Sequence, residues 1–194
     1  MSELLATTDT VRGRILASAI QLFVDQGYHV TTIPDIVASS KTSIGAVYHH
    51  FSSKEELARE LHQQVIQEFM RQAEESVLTL SSAKDRIRAY VDLLFSLTEK
   101  DSYFVAYLLH ARPRVVVDDN LTVCSREGIE VTNHIIADGK ANGELRDEDD
   151  RILCGVISGI IMRLVDLRLD GLILEPLPTL ADKTTDSIWR AVRA

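Results

Sequence analysis

The chain has 194 residues, 45% hydrophobic and 26% charged, with a net charge of −8. That mix can bury a core, which excludes a disordered chain, and its longest apolar run, Leu153–Met162 between Arg151 and Arg163, is too short to cross a bilayer. Two cysteines, Cys124 and Cys154, exclude a disulfide framework and a four-cysteine zinc site, and the opening MSELLATTDTVRGR lacks the pattern of a secretory leader, so a cytoplasmic protein is expected.

The charge is unevenly spread. Residues 1–54 hold four bases and four acids, whereas the rest holds 17 bases and 25 acids. A neutral N-terminal part therefore precedes an acidic body, a balance that by itself argues against non-specific nucleic-acid binding.

Apolar residues recur at helical spacing along most of the chain. In Arg12–Gln26 the set Ile15, Leu16, Ala19, Leu22 and Phe23 shares a face, and Gly27 supplies a stop. A short helix is expected over Ile33–Ser39. Thr32 would be its N-cap, Pro34 sits in its first turn where no intrahelical amide bond is lost, and Asp35 completes a capping box. The polar break Ser40-Lys41-Thr42 leads to a second short helix, Ser43 to about His50. Ser53-Lys54-Glu55-Glu56 reads as a further capping box, opening a long helix to about Leu80 with Leu57, Leu61, Val65, Phe69 and Val77 inward. Helices are expected near 84–99, 103–111, 119–141, 148–170 and 179–193, separated by breaks at Arg112-Pro113, Gly139–Gly143 and Gly171–Pro178. No convincing strand alternation competes, so the fold class is all-α.

Two short helices across a three-residue turn have the spacing of a helix-turn-helix, in which the first helix braces the second for entry into a major groove. Ser43, Ile44, Gly45 and Ala46 are small or slim, which permits close approach to base edges. Val47 and Phe51 provide an apolar anchor four residues apart. Tyr48, His49 and His50 would present donors to phosphates as the helix leaves the groove, and Lys54 adds charge at the next helix start.

Residues 12–57, through RGRILASAIQLFVDQGYHVTTIPDIV and SIGAVYHHFSSKEEL, resemble the DNA-binding region of the tetracycline-repressor (TetR) family of bacterial transcriptional regulators. The resemblance implies a helix-turn-helix DNA-binding domain over 1–54, within an N-terminal three-helix bundle. A larger helical ligand-binding and dimerisation domain would follow over 55–194, about nine helices in all. It further implies a homodimer that binds a palindromic operator in double-stranded DNA and is released by a small-molecule inducer. Tyr48, His50 and Lys54 resemble the family's phosphate contacts, with Thr32 joining them through its hydroxyl or amide. Ile44, Gly45, Ala46 and His49 resemble its base-proximal positions, and the turn residues Lys41, Thr42 and Ser43 border them. The turn departs from the usual Ala-Gly-Val-Ser: Lys41 stands where glycine is expected, so either a left-handed residue there carries a β-carbon at some cost or the turn takes a different shape that frees Lys41 for a phosphate. Pro34 replaces a position that is often basic.

In the body, small residues at Gly155, Ser158 and Gly159 allow close helix approach, and the resemblance implies that the last two long helices pair with their mates. Gly155, Val156, Gly159, Ile160, Leu164, Ile188, Trp189 and Val192 are the expected dimer contacts. Phe69, Tyr103, Phe104, Tyr107, His110, His134 and Met162 mix apolar walls with polar tips and are the candidate inducer contacts, with Arg112 and Arg114 near enough in sequence to His110 to neutralise an anion. No cofactor, metal site or membrane association is expected. The sequence has no His-Glu-x-x-His, no phosphate-binding glycine loop, no Gly-x-Ser-x-Gly and no Cys-x-x-Cys, so no catalytic role is expected. A metal or redox sensor using Cys124, Cys154, His110 and His134, or a helical module acting through protein partners, is the alternative.

Overall fold

A computed structural model describes residues 10–110 and 127–194. The described residues form nine α-helices: α1 (Val11–Asp25), α2 (Ile33–Ser40), α3 (Ile44–His50), α4 (Lys54–Ala73), α5 (Ala83–Lys100), α6 (Ser102–Leu109), α7 (Glu127–Ala141), α8 (Asp150–Leu169) and α9 (Ala181–Val192). No strand occurs among them, only an isolated bridge between Leu145 and Arg193. The all-α expectation holds. The expected helix start at 119, together with Arg112, Arg114 and Cys124, lies outside the described residues.

Two compact units divide the helices. The first holds α1–α3, α4 as far as Phe69, and α6. Its core is Ile15, Leu16, Ala19, Ile20 and Phe23 of α1, Ile36 of α2, Val47 with the adjoining Phe51, Leu57, Leu61 and Val65 of α4, and Phe104 and Tyr107 of α6. Each of the Val, Leu, Ile and Phe side chains among them contributes about 1.5–3 kcal/mol by leaving water. The second unit holds the end of α4 from Met70, then α5 and α7–α9. There α5 packs on α8 and α9, and α7 on α8. The expected inward face of α4 is buried throughout, although the helix ends at Ala73 and continues as a π-helical turn, Glu74–Leu78.

Local chemistry sets the helix boundaries of the first unit. Thr10 caps α1, its Oγ1 accepting from the amide of Gly13 at 2.9 Å. Gly27, at φ +87°, then turns the chain out of α1 in a conformation that glycine adopts without strain.

Candidate nucleic-acid interface

The bracing helix α2 begins with the expected capping box. The Thr32 amide donates to Asp35 Oδ2 at 2.8 Å, and Thr32 Oγ1 accepts from the Asp35 amide at 3.3 Å. The Thr32 hydroxyl also bonds Asp35 Oδ2 at 2.6 Å, and these contacts hold the Asp35 carboxyl below the usual carboxylate range. Pro34 is exposed in the first turn of α2.

The turn to α3 carries the strain that its sequence announces. Lys41 has φ 52° and ψ 43°, a left-handed residue with a β-carbon, and it is exposed. That conformation costs roughly 1–2 kcal/mol in a non-glycine residue. The turn is offset by hydrogen bonds: the amides of Lys41 and Thr42 both reach the Val37 carbonyl, and the Ser40 and Thr42 hydroxyls lie 2.8 Å apart. Ser43 then caps α3, accepting from the Ala46 amide at 3.0 Å.

Val47 and Phe51 are buried as anchors, which turns the opposite face of α3 outward. Ile44 is 53% exposed and Tyr48 54%, so two large side chains stand in water on a helix whose core contacts are already made. Gly45 and His49 are exposed beside them, Ala46 and His50 are half-buried, and the His49 and His50 rings meet edge-on at 5.1 Å. A β-carbon on Gly45 would meet only Ser43 Oγ, at 3.9 Å, so nothing within the chain requires glycine there. Thr32 and Ser43 are also exposed.

Two cations of this unit lie against the fold. Arg12 pairs with Glu60 and lies 5.8 Å over the Phe51 ring. Lys54 is turned into the fold, its ammonium donating to the carbonyls of Tyr28 at 2.9 Å and Thr31 at 2.8 Å, and resting 4.3 Å from the Tyr28 ring centroid. The Tyr28 hydroxyl donates to Glu55 Oε1 at 3.3 Å, and burial, followed by the nearby Glu55 charge, pushes its pKa up to about 12. The second capping box is only half formed. Ser53 Oγ accepts from the Glu56 amide, but the Glu56 carboxylate goes one residue further back, to Ser52, accepting from its amide at 2.6 Å and from its hydroxyl.

Residues 15–61 match the family model for bacterial regulatory proteins of the tetR family. That stretch, from within α1 to within α4, is the part of the chain that carries the family's DNA-binding region. It is 33% identical over 94 residues to the transcriptional activator FasR of Mycolicibacterium smegmatis, 48% of this chain and 43% of that protein. It is 27% identical over 148 residues to the transcriptional repressor NicS of Pseudomonas putida, 72% of this chain and 68% of that protein. The match to the first of these spans less than half of that relative's length. The structure of FadR from Bacillus subtilis in complex with stearoyl-CoA superposes with a TM-score of 0.72 at 19% identity, covering 90% of this chain and 96% of that one. These TetR-family relatives are regulators of transcription, not enzymes.

The remaining expected sites are distributed between the two units. On α8, Leu153, Ile157, Ile161 and Val165 point inward, leaving Ile152, Gly155 and Gly159 exposed on the other side, with Val156, Ile160 and Leu164 half-buried. Added β-carbons at Gly155 and Gly159 would meet nothing within 4 Å. Ile188 and Val192 are fully buried in the core of their own unit, so they are not free for a partner, while Trp189 is half-buried.

Of the inducer candidates, Phe69, Phe104 and Tyr107 are buried in the first unit. Tyr103 is half-buried there, its hydroxyl 3.4 Å from Asp25 Oδ2, and His110 is exposed at the end of α6. In the second unit Met162 is half-buried, and His134 is exposed with Nδ1 2.8 Å from the Glu130 carbonyl of its own helix. The histidine that is buried is His62 of α4, its ring centroid 6.5 Å from that of Tyr107. His62 follows the inward-facing Leu61, the signal that could have singled it out. The Tyr107 hydroxyl is buried without a hydrogen-bond partner among the described residues, and burial raises its pKa. No cluster of three or more metal-ligating side chains occurs among the described residues, and no described helix is long and apolar enough to cross a membrane.

Proposed function

We propose that this chain is a TetR-family regulator, a homodimeric, cytoplasmic repressor that reads a palindromic operator with α3 and leaves it when a small molecule binds its body. The observation that carries the reading is the outer face of α3. Ile44, Gly45, Tyr48 and His49 stand exposed on a helix fixed by caps at Ser43 and by anchors at Val47 and Phe51. A glycine in a helix costs about 1 kcal/mol relative to alanine, and nothing inside the chain calls for it at Gly45. Close approach of a base edge does. Slim apolar residues suit thymine methyls and groove shape more than bidentate arginine readout.

The same reasoning supports pairing through α8, where Gly155 and Gly159 are open and border exposed Ile152. Pairing would also give DNA the two half-site readers that a palindrome needs. For the inducer, the buried phenol of Tyr107 supplies a hydroxyl able to meet a ligand's polar atom inside apolar surroundings. Because FadR of Bacillus subtilis binds stearoyl-CoA in its solved complex, a long-chain acyl-CoA is a sensible first probe.

Selection from random duplexes tests the reading. Enrichment of an inverted repeat, protected on successive major grooves, is expected. Enrichment of no sequence at low salt would overturn it.

A further inference from the structure

We infer that Lys54 is a positioning residue of the DNA reader rather than one of its phosphate contacts, an inference that rests on the DNA-binding reading above. Its ammonium has three protons. Two donate to the carbonyls of Tyr28 and Thr31, and the charge lies over the Tyr28 ring. Tyr28 is itself held on both sides, its ring edge-on to Phe23 at 5.4 Å and its hydroxyl on Glu55. Thr31 is fully buried, and its hydroxyl donates to the Gly27 carbonyl at 2.9 Å.

What Lys54 holds matters for α2. The peptide joining Thr31 to Thr32 is fixed at its carbonyl by Lys54 and at its amide by Asp35. One ammonium at the first position of α4 thereby sets the loop leaving α1 and the first turn of α2. The brace carries α3 across a three-residue turn, so its angle is the angle of the reader. Leaving this nest for a phosphate would break two charge-assisted hydrogen bonds and a cation–π contact for one contact that salt screens.

Lys54→Met tests this, because it keeps an unbranched side chain beside Tyr28 and removes the donors. Affinity for the selected operator should fall about tenfold or more while the slope of log K against log salt is unchanged. A phosphate contact would instead make that slope shallower by about 0.9. The unaltered protein gives a second readout that does not depend on how the variant folds. In the Lys54 ammonium NMR signal, the nitrogen shift and proton exchange should be the same free and on the operator. A nitrogen shift on binding, or coupling to phosphorus, would overturn the inference alone. If the unaltered protein binds no duplex, the function reading fails and this inference with it, although the free protein's ammonium signal would still report whether the clamp exists.

Discussion

The outer faces of α3 and α8 both carry glycines that meet no close neighbour in their own chain, yet different side chains surround them. Around Gly45 stand Tyr48 and His49, side chains with donors, whereas around Gly155 and Gly159 stand Ile152, Val156 and Ile160. Donors beside an opening suit a hydrated, phosphate-lined groove; aliphatic side chains beside one suit another protein helix. Gly139 shows what an internal requirement looks like. A β-carbon there would come within 2.7 Å of the Leu145 side chain and 2.9 Å of the Ala83 β-carbon. Of these four glycines, Gly139 serves the fold, and Gly45, Gly155 and Gly159 are the ones proposed to serve a partner.

The largest effect is expected at α8. Gly159→Leu should leave each chain folded but overpack the pairing face by about 1–3 kcal/mol per copy, twice in a symmetric dimer. Dissociation of the dimer should rise roughly 100-fold, and light scattering should show monomers; an intact dimer would remove α8 from the interface. Gly139→Ala is the opposite case. It should lower stability by about 1–3 kcal/mol in a denaturant melt while dimer and operator affinities, measured on the folded protein, stay the same.

Smaller effects sharpen the account of the reader. Lys41→Gly relieves a left-handed residue and should stabilise the fold by about 1 kcal/mol, raising the melting temperature by roughly 2–4 °C for a chain of this size. The least effect comes from acid. The folded pKa of Asp35 lies below its unfolded value, so its contribution is present above about pH 4 and is lost as pH falls through the lower folded value. Thermal melts should therefore separate Asp35→Ala from the unaltered protein at pH 7, and the gap should close in strong acid.

How much of this was legible in the sequence follows from how local each cause is. The cap at Thr32 and the anchors Val47 and Phe51 each depend on neighbours within a turn, and they stand where the sequence placed them, whereas Ser43, read as the first helical residue, is the cap of α3. Lys54 depends on carbonyls 23 and 26 residues away, so its side chain was readable as a charge but not as a clamp. In α9, the spacing of Ile188 and Val192 marked an apolar face correctly. Spacing alone could not say whether that face meets its own α5 and α8 or a second copy, and the chain's own core claims it. The polar tips at His110 and His134 turned out exposed for the same reason: helical period places a residue on a face, and only packing decides which face is inside.

The most direct test of the central claim is Gly45→Ala, measured twice on one preparation, for stability and for operator affinity. The two should change with opposite sign. Stability should rise by up to about 1 kcal/mol, because alanine is the better helix former and its methyl meets nothing closer than Ser43 Oγ at 3.9 Å, while affinity should fall about tenfold. Affinity left unchanged while the helix gains stability would mean that α3 does not approach the bases at Gly45, and the proposed reading face would be wrong.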